Sequence, residues 1–530
     1  MSVNATTLPL EDRLLARPPL RQRIGNRERL RLRPEVLVRL ELGTIVLCSL
    51  VVVLAAAGHP SFLSAPTRPN YFPGWMAGPL GGLLGSIGSS ALKAIFSGAL
   101  ALSFAGYVLL VVRHSRALSL GVVVTAIVAV HAILFMAPPL TLTDVFNYLN
   151  YARMDVVHHL NPYVTIPVLE PHGDPSYALS NWHGLLSPYG PLFTIFTFGL
   201  ARLSPAAYLW TFKCTLMLAE AGILVLTWRC ARLLGRDPLQ AIVIVGLNPI
   251  VLFWGLGADH NDFFPVFFVV LGIYLMLLAA KRGERSRTAP GRAGSPHAGA
   301  ARPERDATPP LERVRLWLLC HHALDAAAGA SFVVAAGMKA SAGVMVPIAL
   351  ASLVGRTGRL VSLAVGAAVA GAVVGAASLL AFGAHFPDIA IQNALVTGFS
   401  LPNLFGLALG QGGETTTLHN LVNLALVAAI ALACAYAWRR REALTPAGWA
   451  TLAIIVTLSW ALPWYLLWVL PMAALAGSRR LRNATLILGA FLIFVWAPLG
   501  VQLLSDAGVH PQRTALGRQH VRAVQELLRP

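Results

Sequence analysis

Asp259, His260, Asn261 and Asp262 stand in a row in GLGADHNDFFP, between two apolar stretches. An imidazole flanked by carboxylates suits proton handling or the binding of sugar hydroxyls. A short solvated turn would account for one or two such residues rather than four. Asp259, His260 and Asp262 are also metal-ligand types, but consecutive residues rarely all point at one ion, so no metal or other cofactor is expected. A second group lies upstream in TLTDVFNYLNYARMDVVHH. At about 100° per residue, Asp144, Tyr148, Tyr151, Asp155 and His158 fall in one stripe of a helix capped by Thr143, with Val145, Phe146, Leu149 and Val156 on or near the opposite side. Such a helix lies at a membrane surface, apolar side in lipid or protein and carboxylate-tyrosine side on a cavity. A plain reading competes in each case: Asp144 as a charge favoured by the helix dipole, Asp155 as a solvated neighbour of Arg153 and His159.

Lys339, in AAGMKASAG, is a point charge of the kind that binds phosphate, or a lysine that only snorkels to an interface. Lys213 and Glu220 sit seven residues apart in one apolar run, too far for a direct i,i+4 pair, so each is expected to find a partner on another helix. His321 and Asp325 are at i,i+4 spacing and can satisfy each other. SWALPWYLLWVLP gathers Trp460, Trp464, Tyr465 and Trp468; an aromatic belt at the membrane interface explains them, and such rings also stack on sugars. The segment 383–418, with His385 and Asp388, reads as a covering element.

These groups must be positioned by helices in a bilayer. The chain has 530 residues, 56% hydrophobic and 12% charged, which excludes a string of soluble domains. A net charge of +18 would raise the question of nucleic acid in a soluble protein, but here most basic residues lie between apolar runs and act as topology signals. Five cysteines without a CxxC pair argue against a disulfide framework or a zinc site. Apolar runs near 40–57, 93–112, 117–137, 207–228, 240–256, 263–280, 316–336, 340–355, 360–382, 420–438, 446–462, 464–477 and 484–503 predict an all-α protein of about 13 transmembrane helices. The expected organisation is a cytoplasmic basic arm over 1–39, a transmembrane domain over 40–503 and a basic tail over 504–530. Within the domain lie a long outer loop, 138–206, and a Pro/Gly/Arg-rich cytoplasmic loop, 281–315, whose centre is expected to be disordered. Alternation from a cytoplasmic N-terminus puts 31 of the 41 Lys and Arg residues on the cytoplasmic side of the cell membrane. It requires 191–203 to stay at the outer interface, and leaves the tail as the exception.

The order TLTDVFNYLNYARM, NPY, SPYGPLF, NP…GADHND, MKAS and PWYLLW resembles the polytopic GT-C glycosyltransferases, and most nearly the actinobacterial polyprenol-phosphate-mannose-dependent α-1,6-mannosyltransferases. A related Tyr-x-Pro-Leu, Lys and acidic-residue order in the eukaryotic GPI mannosyltransferases matches Tyr189 to Leu192, Lys213 and Glu220. The likeness covers roughly 117–480. Asp259, where a Gly is expected before the His, departs from it.

The resemblance implies a GT-C fold and inverting transfer of a sugar, mannose first, from a polyprenyl-phosphate donor to a glycan or glycolipid hydroxyl on the extracytoplasmic side. It implies Asp144 as the base, with Asp155 competing for that role. Lys339, His260, Arg153 and Lys213 are implied around the donor phosphate. Tyr148, Asp155, Tyr189, Asp259, His260, Asn261, Asp262, Trp464 and Tyr465 are implied around sugar and acceptor. The same enzyme class using arabinose or glucose, and a lipid-linked sugar flippase, are the alternatives. A flippase concentrates ionisable residues at the midplane, whereas Asp144, Asp155, Asp259, Asp262 and Asp388 are expected at the outer boundary. No βαβ alternation for a nucleotide sugar is visible, and no nucleic-acid partner is expected.

Overall fold

A computed structural model of the chain describes residues 33–64, 72–288 and 310–528. Most of the basic arm and the centre of the 281–315 loop lie outside them. In lipid a backbone can satisfy its own N–H and C=O groups as helix, and among the described residues every regular element is helical apart from one isolated bridge between Ser64 and Leu140. The N-terminal half contains α1 (Pro34–Ala57), α2 (Gly74–Ala77), α3 (Ser89–Val112), α4 (Leu120–Phe135), α5 (Asp144–Val156), α6 (Pro191–Phe198), α7 (Pro205–Leu233), α8 (Pro238–Gly246) and α9 (Phe263–Thr288). After the central loop come α10 (Pro310–Met338), α11 (Met345–Leu353), α12 (Thr357–Phe382), α13 (Ile389–Ala394), α14 (Leu401–Ala408) and α15 (Thr416–Arg440). The chain ends in α16 (Leu444–Thr457), α17 (Leu470–Leu475), α18 (Arg479–Trp496), α19 (Pro498–Asp506) and α20 (Ala515–Leu527).

The thirteen expected runs all contain helix, of unequal length. Among the described residues, six helices, α1, α3, α7, α9, α12 and α15, are long and apolar enough to span a bilayer; the pair α18 and α19, bent by 76°, makes a seventh if taken as one span. Of the other runs, 316–336 lies within the 29-residue α10, and the rest are short or broken. The run 240–256 splits into α8 and a π-helical turn, Val251–Leu256, and 464–477 into a 3-10 segment, Pro463–Trp468, and α17. Proline explains several breaks, since it removes a donor and clashes with the preceding turn: Pro463, Pro471 and Pro498 each stand at the start of a new segment. α6 has eight residues, about 12 Å of helix, too short to cross.

Two packing features decide where the site sits. α10 and α12 approach through small residues: a Cβ on Gly329 would strike the backbone of Leu363, and one on Gly366 that of Ala326. Asp325 of α10 pairs with Arg359 of α12, through Nε to Oδ2 and Nη2 to Oδ1 at 2.8 Å each; its expected partner His321 lies outside the described side chains. The fork geometry of the guanidinium suits the two carboxylate oxygens, and the same Arg359 reaches the Met276 carbonyl of α9 at 2.9 Å. Lys213 finds its partner off its own helix, 3.5 Å from Asp259 and donating to the Ala137 carbonyl at 2.8 Å. Glu220 does not: its two carboxyl oxygens are buried with no hydrogen-bond partner.

The segment 138–206 is a built shell over one end of the bundle. Arg153 grips Asp174 at 2.8 and 3.0 Å and the Ala201 carbonyl at 2.8 Å, His158 joins the same carboxylate at 2.7 Å, and Asn150 donates to Glu170. Burial alone would raise the Asp174 carboxyl, but the bonds from Arg153, Ser176 and His158 outweigh it and hold the group down at about 2. The tail returns to this face: the Leu527 carbonyl accepts from Gly184 N at 2.9 Å, which lays α20 across the shell.

Candidate active site

A cavity of about 440 Å³ opens where the first turn of α5, residues 181–189, 260–262, 338–341 and 458–468 meet beneath α20. Each wall owes its place to local sequence. Pro138 and Pro139 end the apolar run before α5, whose first residue is Asp144. Thr143 does occupy the N-cap position, but its hydroxyl makes no cap bond and is buried without a partner, so the helix start is held by backbone bonds such as Phe146 N to the Thr143 carbonyl at 2.8 Å. α5 is also enclosed on all sides from Val145 to Ala152, so its apolar side packs against protein. Only its first turns meet the cavity: Asp144 and Tyr148 line it, whereas the Tyr151 hydroxyl is spent on the Leu185 carbonyl at 2.7 Å.

Asp144 is the most accessible carboxylate here, 17% exposed, with Oδ2 3.6 Å from His260 Nδ1. Burial pushes its carboxyl up to about 6, against the pull of Asn147 and Lys339. Asn147 contacts it at 3.5 Å and is itself fixed by Asn181, donating to Oδ1 at 3.0 Å and accepting from the Asn181 N–H at 3.0 Å.

The four consecutive polar residues point in different directions, which explains why they do not assemble as a metal set. They follow the π-helical turn, a feature frequent at functional sites, and Asp259 has φ +56°, a left-handed conformation that Asp tolerates better than most residues. Asp259 turns away from the cavity to Lys213, its carboxyl pushed up to about 6 by burial against the lysine's pull. His260 stacks on Trp464 with ring centres 3.6 Å apart and planes at 13°; burial, then the charge of Lys339, holds its imidazole well below the ordinary range and so neutral. The Asn261 N–H donates to the Tyr148 hydroxyl at 3.3 Å. Asp262 Oδ1 accepts from Lys339 Nζ at 2.6 Å and from Trp468 Nε1 at 2.5 Å, while its Oδ2 and His260 Nε2 are buried without a partner.

Lys339 follows the last residue of α10 and sits over the rings of Tyr465 and Trp468 at 4.8 and 5.0 Å. Its position depends on Gly190 in SPYGPLF: a Cβ there would lie 2.7 Å from the Met338 carbonyl, and the Gly190 N–H donates to that oxygen at 3.2 Å. Tyr189, next to it, meets Tyr148 edge to face at 4.8 Å.

The cavity therefore joins Asp144, Tyr148, Tyr189, His260, Asn261, Asp262, Lys339, Trp464 and Tyr465, drawn from five separate stretches of chain. Asp155, Arg153, Lys213 and Asp259 are not on its wall. Asp155 shares the stripe of Asp144 but stands eleven residues on, about 16 Å along the axis. Arg153 is committed to Asp174, and Lys213 lies deep in α7. Asn147, Asn181, Trp182, Trp468 and Trp496 belong to the site or its support and were not singled out above as site residues. Asn147 could have been found as the i+3 neighbour of Asp144.

Residues 46–356 match the family described as Alpha-(1->6)-mannopyranosyltransferase, N-terminal domain. The chain belongs to this family. Residues 396–522 match the MptB C-terminal domain, so the second match runs into α20. Among curated proteins, alpha-(1->6)-mannopyranosyltransferase A of Mycobacterium tuberculosis (strain ATCC 25618 / H37Rv) is 27% identical over 384 residues, covering 69% of this chain and 68% of that protein. A second alpha-(1->6)-mannopyranosyltransferase of the same organism is 26% identical over 408 residues, covering 68% and 67%. No solved structure matches the chain. The chain is a polytopic, all-helical membrane glycosyltransferase.

Proposed function

We propose that the chain transfers mannose from a polyprenyl-phosphate donor to a hydroxyl of an envelope glycan or glycolipid, with inversion, on the extracytoplasmic side. The observation that carries this reading is one cavity holding an accessible carboxylate lifted to about 6, a lysine and a wall of indole rings. Asp144 takes the proton of the acceptor hydroxyl as its oxygen attacks the anomeric carbon. The bond from that carbon to the phosphate oxygen breaks, and the electron pair leaves with the polyprenyl phosphate. Lys339 and an N–H of the neutral His260 meet the growing negative charge. The proton passes from Asp144 to water, because a carboxyl near 6 is mostly ionised at neutral pH. A single displacement inverts the anomeric centre. Trp464 and Tyr465 give the sugar ring apolar faces, and Tyr148 and Asn181 edge the same space.

For orientation, the arginine distribution supports a cytoplasmic arm (1–39) and central loop (281–315), with residues 40–503 as the catalytic membrane domain. Outer loop 138–206 and tail 504–530 then share the opposite side, and the bond from Gly184 to Leu527 supports their common face. The test is single-turnover transfer from synthetic polyprenyl-phosphate mannose to a methyl α-mannoside, wild type against Asp144→Asn. Loss of roughly 10²–10⁴ in rate with donor binding retained is expected for removal of a general base. Wild-type activity with only another polyprenyl-phosphate sugar would overturn the mannose assignment, and Asp144→Asn at full rate would overturn the base.

A further inference from the structure

Beside the first cavity lies a second, of about 400 Å³, and Trp460, Trp496 and Val524 belong to both walls. The size is that of an ordinary small-molecule site. Its chemistry differs from its neighbour's: where the first holds Asp144, Asp262 and Lys339, no Asp, Glu, Lys or Arg lines the second. A phosphate would meet no cation there. The rings of Phe399, Trp460 and Trp496 offer flat apolar faces, and Gln512 and Gln525 supply neutral amide groups. Flat faces edged by neutral hydrogen-bonding groups suit a pyranose ring.

The chamber is pre-organised. Asn403 accepts from the Glu414 N–H at 2.9 Å and donates to the Gly398 carbonyl at 2.7 Å, while the buried Glu414 carboxylate is held by Ser459 at 2.6 Å and His419 at 3.0 Å. α20 forms part of the wall through His520, Val521 and Val524, fixed at its start by Thr514 and near its end by Gly184.

We infer that this second chamber is an acceptor subsite: it binds sugar units of a neutral oligosaccharide acceptor remote from the reacting hydroxyl, with the chain passing Trp460 and Trp496 to reach Asp144. The inference rests on the proposed transfer reaction. The donor does not fit the chamber, because its phosphate needs a cation and its isoprenoid tail a groove open to lipid.

The test compares kcat/KM for an α-(1->6)-linked mannotetraoside with that for methyl α-mannoside. Wild type should prefer the longer acceptor by about tenfold or more, a gain of roughly 1.4 kcal/mol. Val521→Trp, which fills the chamber, should bring the ratio to about one, leaving donor KM and transfer to the monosaccharide unchanged. Phe399→Ala, which fills nothing, should lower the ratio less. An unchanged ratio in both variants overturns the subsite, as does a raised donor KM in Val521→Trp. If wild type transfers no mannose, the proposed function fails and titration calorimetry with the tetraoside decides the chamber: binding lost in Val521→Trp supports it, and no binding to wild type, or equal binding to both, overturns it.

Discussion

Asp144 makes the reaction's pH dependence a sharp test, because its carboxyl is lifted to about 6 by burial in the cavity wall. If its ionised form is the base, about nine-tenths is active at pH 7 and about one-tenth at pH 5, so kcat/KM should fall roughly tenfold between them. An aspartate at its ordinary value near ~4 would still be about nine-tenths ionised at pH 5 and would give a nearly flat profile. The sign of two perturbations follows from the neighbours. Lys339 holds the Asp144 carboxyl down, so Lys339→Met should move the acid limb to higher pH; Asp262 pushes it up, so Asp262→Asn should move it lower. Both variants also slow the reaction, which is why the position of the limb is read and not its height. Asp259 is likewise lifted to about 6, but its electrostatic partner is Lys213, so a limb belonging to Asp259 would not follow Lys339→Met. His260, held neutral, does not supply the limb.

The assay is initial rate in detergent against pH, at donor and acceptor concentrations below KM so that the free enzyme is reported. A profile flat to about pH 5, or an acid limb that stays in place in Lys339→Met, would refute Asp144 as the titrating base.

Three other perturbations read different parts of the structure. Lys213→Met strands the fully buried Asp259 carboxylate and should cost about 3–5 kcal/mol, seen as a lower Tm in detergent; adding Asp259→Asn should recover most of it, and no recovery would show that Lys213 acts otherwise. Gly190→Ala drives a methyl into the Met338 backbone beside Lys339, so kcat should fall with the acceptor KM little changed; full activity would show that the α10 terminus yields. Asp155→Asn, outside the cavity wall, should leave kcat/KM within about twofold, and a large loss would return Asp155 to the contest with Asp144.

How far the sequence carried depended on whether a residue's role was local. The helical nature of every apolar run and the start of α5 at Asp144 follow from hydropathy and the prolines before it, and both are seen. The cluster of polar residues at 259–262 was visible as a break in an apolar pattern, but not its splaying, because a positive φ at Asp259 and a π-helical turn before it leave no periodicity to read. Lys213 was expected to have a partner on another element, and that partner, Asp259, became evident only from the fold. Trp464 and Tyr465 illustrate the opposite limit: an interfacial belt and a cavity wall use the same residue types, and the burial of both rings, with Trp464 stacked on His260, separates them. Hydropathy has a related limit, since it does not distinguish a span from a buried broken helix such as Pro463–Leu475.

On the proposed reaction, the Lys339–Asp262 pair explains why the phosphate-side cation is not left bare. A polyprenyl-phosphate sugar carries one negative charge as a diester, and the departing monoester gains a second as the bond breaks. A free lysine in a buried site would bind the monoester product more tightly than the diester substrate and retard its release. Asp262, 2.6 Å from Nζ and anchored by the Trp468 indole, offsets most of that attraction in the ground state. On this reading the lysine's remaining N–H donors serve the oxygen on which new charge develops, and the interaction grows along the reaction coordinate, the condition for it to speed the chemical step. On the same reading the pairing separates two duties within one cavity: Asp262 is occupied by Lys339 and Trp468, while Asp144, accessible and lifted to about 6, is left for the acceptor proton.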